Sequence, residues 1–282
     1  MKDIILRSGA LKAHVNAFGA EWKGLEKDGL EYLYSGDPAY YGRTSPTLFP
    51  IIGRFLSDTY YVGDRAYHLP LNGFAMDRNF SVEEEKEDRA TFLLAADERT
   101  LAMYPFRFTL RVTYALSPEK MTVRYRIRNT DTQALPFGIG CHTAYRWPLT
   151  PGENPSDYKL CFEKEETITS FNPFNWKTPG FVLGKTRPLD HSLFENYTRS
   201  MTGIRSDWIE YRAPSGHGVR IERSAFPFLA MWSLPDEGAE LVCLEPCTSV
   251  HAGGATTLND RMGIIVLPAG DCCDKEFSVT PF

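Results

Sequence analysis

Two residues of this 282-residue chain sit where proton transfer is chemically sensible, His142 and Glu245. His142 follows Pro136-Phe137-Gly138-Ile139-Gly140-Cys141 and precedes Thr143-Ala144-Tyr145, a path of small residues flanked by aromatics that leaves room for a ligand. An imidazole with an unperturbed pKa of about 6.5 can donate or accept a proton near neutral pH. The competing use of such a residue is a hydrogen-bonded core histidine. Glu245 closes the apolar run Leu241-Val242-Cys243-Leu244, and Pro246 follows it. A carboxylate there is costly to bury unless paired, so it is either salt-bridged for structure or presented to a cavity. Trp232, in Phe228-Leu229-Ala230-Met231-Trp232-Ser233, offers a ring that stacks on the C–H face of a sugar or simply packs in a core. Arg54 ends the apolar stretch Phe49-Pro50-Ile51-Ile52-Gly53. Its guanidinium suits hydroxyl or carboxylate oxygens, with a surface ion pair as the plainer alternative.

The elements that must position these groups read as strands. Phe108, Leu110, Val112 and Tyr114 alternate with Thr109, Arg111 and Thr113; after the turn Ser117-Pro118-Glu119-Lys120, Met121, Val123, Tyr125 and Ile127 alternate with Thr122, Arg124, Arg126 and Arg128. Period-two alternation across a turn predicts a hairpin with one buried face and one wet, basic face. Turn signals recur at Ser8-Gly9, Lys27-Asp28-Gly29, Gly63-Asp64, Pro151-Gly152 and Ser215-Gly216. The sole helical candidate is Asp97-Glu98-Arg99-Thr100-Leu101-Ala102-Met103, ended by Pro105. The chain therefore reads as all-β, an antiparallel sandwich or barrel without regular crossover helices. No low-complexity linker divides it, which predicts a single domain over 1–282, and the acidic run Glu83-Glu84-Glu85-Lys86-Glu87-Asp88 reads as a solvated strand end or loop.

Composition narrows the function classes. A net charge of -5 built from interspersed acids and bases, with no Lys/Arg cluster, argues against nucleic-acid binding. No stretch approaches the roughly 18 apolar residues of a membrane span, and the N-terminal run Ile4-Ile5-Leu6 is too short for a signal-peptide core, so a soluble cytoplasmic protein is expected. The six cysteines include the adjacent pair Cys272-Cys273 but no paired CxxC spacing. They read as reduced thiols rather than a disulfide framework or a structural zinc site. Gly138-Ile139-Gly140-Cys141-His142-Thr143 lacks the third glycine and the following helix of a dinucleotide site, and P-loop, HExxH and GxSxG signatures are missing. Chemistry here must use ordinary acid and base side chains, with no cofactor and no metal.

At these same residues the sequence resembles the aldose 1-epimerase family, in its shorter LacX-like bacterial branch, nearly along its whole length. Ser45-Pro46-Thr47-Leu48-Phe49-Pro50-Ile51-Ile52-Gly53-Arg54 is similar to the family's P-x-L-F-P-x-x-G-R segment, and Asn72-Gly73-Phe74-Ala75-Met76-Asp77 to its H-G-F-A-R-D motif. Tyr104-Pro105-Phe106, Gly140-Cys141-His142, Ala230-Met231-Trp232 and Leu244-Glu245-Pro246 follow in the family's order. The resemblance implies a galactose mutarotase-like β-supersandwich holding a monosaccharide, with His142 as general acid and Glu245 as general base. It implies substrate contacts from Arg54, Asn72, Trp232 and Tyr197, and a monomer or homodimer.

The departures bear on substrate choice. Asn72 stands for a histidine, Met76 for an arginine, Tyr197 where relatives often have an aspartate, and Cys247 for a tryptophan. An amide still bonds a hydroxyl but cannot act as a cation. His68 and His251 read as surface residues. Besides mutarotation of a hexose or modified hexose, three functions stay open. One is a non-catalytic carbohydrate-binding protein; another is a hexose-6-phosphate epimerase using Arg54 and Arg78 at the rim. The third is a glycoside hydrolase, for which no second carboxylate presents itself.

Overall fold

In the computed structural model the described residues are 2–170, 180, 182–194, 198–236, 238–250 and 254–282. The hairpin forms in the register the alternation requires: Phe108–Leu116 pairs antiparallel with Met121–Asn129, from Phe108↔Asn129 to Leu116↔Met121. Ser117 N–H closes the turn on the Lys120 carbonyl at 2.9 Å. Phe108, Leu110, Val112 and Tyr114 are buried, while Arg124, Arg126 and Arg128 face solvent. Arg124 and Arg126 meet Glu276 and Asp274 of the adjacent strand at 2.6 and 4.0 Å, so the basic face is a solvated, charge-paired surface.

This hairpin lies inside a nine-stranded sheet running Val182–Pro188, Lys159–Thr169, Trp208–Arg212, Gly218–Glu222, Cys272–Pro281, Met121–Asn129, Phe108–Leu116, Arg89–Ala95 and Ser81–Glu85. The acidic run begins on the last of these, an edge strand whose charges discourage pairing with another chain. A six-stranded sheet runs Thr198–Thr202, Phe228–Trp232, Leu241–Cys247, Gly140–Cys141 and Thr47–Leu48, with Ala144–Arg146 also paired to Leu241–Cys247. A four-stranded N-terminal sheet joins Asp3–Ser8, Leu11–Asn16, Glu21–Lys27 and Leu30–Glu31. Every ladder within these sheets is antiparallel.

One apolar core fills the space between the two large sheets. Val123, Tyr125, Ile127, Val219, Ile221 and Phe277 enter it from the nine-stranded side, Leu229, Met231, Val242 and Leu244 from the six-stranded side. The architecture is the all-β sandwich the sequence predicts. The predicted helix is Glu98–Met103, started by a capping box: Asp97 Oδ1 accepts from Thr100 N–H at 2.7 Å and Thr100 Oγ1 from Asp97 N–H at 2.8 Å. All six thiols are free; Cys141, Cys243 and Cys247 are buried, and Cys272 is exposed. The adjacent pair lies on the strand Cys272–Pro281, where alternation turns neighbouring side chains to opposite faces.

Candidate active site

The strand Leu241–Cys247 is buried along its whole length. Its even residues, Val242 and Leu244, enter the main core. Its odd residues face the other way: Leu241 and Cys243 pack with Tyr34, Tyr40, Tyr41 and Trp232, and Cys247 packs with Leu48, Phe228 and Ala230. Period two therefore places Glu245 on the face away from the main core, opposite Ala230 in register. Trp232, half-buried and opposite Cys243, borders the same region.

His142 arrives there through a second strand on the other side. Gly140 pairs with Cys247 on one flank and with Leu48 on the other. A Cβ at Gly140 would lie 2.9 Å from Cys247 Cβ and 3.0 Å from the Pro246 carbonyl oxygen, so only glycine permits this approach. The chain then passes through His142, whose N–H donates to Pro46 O at 3.1 Å, before resuming pairing at Ala144. The segment offering that carbonyl is held by buried Glu21, whose Oε1 accepts from Thr44 N–H at 2.6 Å and Ser45 N–H at 3.3 Å.

The result is direct apposition. His142 Nε2 stands 3.4 Å from Glu245 Oε1, with side chains only 12% and 5% exposed. The Tyr41 ring stacks on the imidazole at a centroid distance of 5.0 Å, and the Trp232 ring meets it edge-on at 5.4 Å. Tyr41 Oη and His142 Nδ1 are buried and have no hydrogen-bond partner among the described residues. Within those residues no Lys or Arg pairs with Glu245. Burial accordingly pushes the Glu245 carboxyl up to about 8 and the His142 imidazole down to about 4. Near pH 7 the pair holds one proton, on the carboxyl, so the free site favours two neutral groups over an ionised glutamate beside a protonated histidine.

The remaining residues singled out by sequence fare differently. Asn72, at φ +63°, is committed to the backbone: its Oδ1 accepts from Gly53 N–H at 2.6 Å and its own N–H donates to Gly53 O at 2.7 Å. It clasps the two motif loops together. Gly73 completes the clasp, because a Cβ there would fall 2.2 Å from the Phe49 carbonyl oxygen. Arg54 is half-exposed, its Nε 3.6 Å from Asp58 Oδ1. Arg78 is partly buried, and its charge acts on Asp97. His68 is exposed and within hydrogen-bond distance of Thr59 Oγ1, as a surface residue. Tyr197 and His251 lie outside the described residues.

Three residues enter that the sequence did not single out. Tyr41 comes from the loop Asp37-Pro38-Ala39-Tyr40-Tyr41-Gly42, which carries no motif. Arg43 donates to the Met76 carbonyl at 2.8 Å and pairs with Asp77, bringing a guanidinium to the motif whose own arginine position is Met76. Buried Arg261 lies over the Phe55 ring at 4.6 Å and donates to the carbonyls of Ile52 and Arg54, the latter at 3.0 Å. It reaches the Val250 carbonyl at 3.4 Å as well, tying the Arg54 loop to the segment beyond Glu245. No periodicity marks a residue that works by bonding distant carbonyls.

The all-β sandwich is the fold of galactose mutarotase-like proteins, and the comparisons with known proteins show the family. The family model for aldose 1-epimerase matches residues 2–249, so this chain belongs to the aldose 1-epimerase family, a family of carbohydrate epimerases. It is 30% identical over 297 aligned residues to the chromosomal protein LacX of Lactococcus lactis subsp. lactis, covering 98% of each chain. A galactose mutarotase-like protein from Lactobacillus casei superposes with a TM-score of 0.92 at 28% identity, over 100% of both chains. Galactose 1-epimerase from Lactobacillus acidophilus shares the fold at a TM-score of 0.69 and 14% identity, covering 98% of this chain and 92% of that one. No helix among the described residues is long and apolar enough to cross a membrane.

Proposed function

We propose that this protein is an aldose 1-epimerase that interconverts the α and β anomers of a hexose or modified hexose by acid/base ring opening. The observation that carries the reading is the 3.4 Å approach of His142 to Glu245, two titratable groups on one sheet face beside aromatic rings. In the ring-opening step Glu245 takes the proton of the anomeric hydroxyl while His142 protonates the ring oxygen. Rotation about the C1–C2 bond and reclosure with reversed roles gives the other anomer. The two roles require the resting proton to pass from Glu245 to His142 before opening, a distance the apposition makes short; opening leaves the pair's proton on Glu245, reclosure leaves it on His142, and the reverse transfer restores the resting pair. Trp232 supplies a face for the sugar's C–H surface. Arg54 reads hydroxyls at the rim, and Asn72 and Tyr197 are the remaining proposed substrate contacts.

Anomer exchange measured by NMR on glucose, galactose, their 6-phosphates and uronic or sulfonated hexoses tests the proposal, with His142→Ala and Glu245→Ala beside the wild type. Acceleration for at least one sugar, lost in both variants, is the expected result. Full activity in either variant would sink the assignment of roles. Sugar binding without acceleration would mean a carbohydrate-binding protein on the same scaffold. The loss of Met76's position as a cation favours plain over phosphorylated sugars, and the 6-phosphate arm checks it.

A further inference from the structure

Glu245 and His142 share their face with a third group that the acid/base reading leaves unused. Cys243 lies two residues before Glu245 on the same strand, so alternation turns its thiol to the same side. His142, Cys243 and Glu245 are all buried, and one ligand atom from each lies within 4.8 Å of the other two. The neighbouring thiols are occupied otherwise: Cys141 Sγ is within hydrogen-bond distance of Ser45 Oγ and Thr143 Oγ1 at 3.0 and 3.4 Å, and Cys247 donates to the Glu245 carbonyl at 3.2 Å. Around a tetrahedral ion, two ligands at about 2.1 Å lie about 3.4 Å apart. The His142–Glu245 separation of 3.4 Å already has that value, and the Cys243 thiol, within 4.8 Å of both ligand atoms, closes the third vertex by moving inward by up to about 1 Å. Coordination through Nε2 puts the ring proton on Nδ1, which is buried without a partner among the described residues, so the site would carry that unpaired N–H as a cost.

From this geometry we infer that His142, Cys243 and Glu245 form a binding site for a soft divalent cation of the zinc class, and that such an ion inhibits the protein by occupying both proton-transfer groups. Imidazole, thiolate and carboxylate are the donor set zinc prefers, and three protein ligands leave a fourth position for water. The charge balance is favourable. A dication on one thiolate, one carboxylate and one neutral imidazole is a neutral assembly, and no described lysine or arginine pairs with Glu245 to oppose it. Binding releases the thiol proton, and the carboxyl proton where present, to the buffer. The ion acts as an inhibitor here, distinct from a resident cofactor. The inhibition rests on the catalytic reading of the same pair, whereas the binding does not.

Cobalt(II) chloride titrated into the metal-free protein, followed by its thiolate-to-metal charge-transfer absorption, tests binding without reference to activity. The band should appear in the wild type and be lost in Cys243→Ala and His142→Ala. Cys243→Ser, which preserves more of the side-chain volume, guards against a folding defect. Zinc chloride should then slow anomer exchange in the wild type, and the inhibition of each Cys243 variant is expressed against its own metal-free rate. Removing the thiol should weaken inhibition by about 100-fold. A cobalt band that persists in both Cys243 variants, or zinc inhibition that they leave within about twofold of wild type, overturns the inference. A protein that binds cobalt through Cys243 yet turns over no sugar keeps the site and refutes the epimerase reading alone.

Discussion

Glu210 and Glu245 are both buried glutamates on strands of the same sandwich, and their surroundings send them opposite ways. Glu210 accepts from Arg212 Nε at 2.7 Å through one oxygen and from Arg220 at 2.6 and 2.9 Å through the other. Burial raises its pKa, but the hydrogen bonds and charges of the two arginines prevail and hold it below the ordinary value of 4.5. Among the described residues Glu245 has no cation from Lys or Arg paired with it, only the neutral-leaning imidazole of His142 at ion-pair distance, and burial pushes it up to about 8. A sheet that saturates one carboxylate with guanidinium groups and leaves another without one separates a structural charge from a group free to exchange protons.

The comparison breaks first in catalysis. Glu245→Gln should lower kcat/KM for anomer exchange by about 10²- to 10⁴-fold, while Glu210→Gln, far from any apposed base, should leave it near wild type. Equal losses in the two variants would erase the distinction. Stability should move the other way, and equilibrium urea unfolding across pH reads the sign. Glu245, raised in the folded state above its unfolded value near 4.5, lends stability that is full below about 4.5 and is lost as pH rises through about 8. Glu245→Gln removes that loss and should gain ~2–4 kcal/mol relative to wild type between pH 5 and 9. Glu210, lowered in the folded state, contributes stability present above 4.5 and lost as pH falls through its folded value. Glu210→Gln should therefore cost ~1–3 kcal/mol at pH 7, the half-exposed arginines softening the loss, and less at pH 3.

A finer test is the pH–rate profile of the metal-free protein. The one-proton state of the His142–Glu245 pair exists between about 4 and about 8, so log kcat/KM should be flat between these limits and fall on both sides, with the limits belonging to the pair. A single alkaline limb near 6.5 would indicate a solvated histidine instead. The smallest effect is expected at Tyr41, whose buried hydroxyl has no partner among the described residues. Tyr41→Phe keeps the ring on His142 and should raise KM about three- to tenfold with little change in kcat, as one uniform hydrogen bond to the sugar would.

Much of this was legible beforehand because alternation is local. The hairpin Phe108–Asn129, its basic wet face and the helix after Asp97 follow from residue order, and the motif chain points to the family. Motif position marks Asn72 and Arg54 as sugar contacts. In the structure Asn72 Oδ1 clasps Gly53, because an asparagine at positive φ beside a tight turn finds a backbone amide first. Cys243 was readable only as a buried thiol, though its offset of two from Glu245 already fixed a shared face.

By itself the sequence determined which residues alternate inward, where the chain turns, and that Glu245 closes an apolar strand. The tertiary structure decided what stands opposite. His142 reaches Glu245 only because Gly140 pairs with both Cys247 and Leu48, and Tyr41 reaches His142 from a loop with no periodic signal. Strand propensity and patterning belong to each segment alone, whereas register between segments distant in sequence is set by non-local hydrogen bonds and loop closure, which no local pattern encodes.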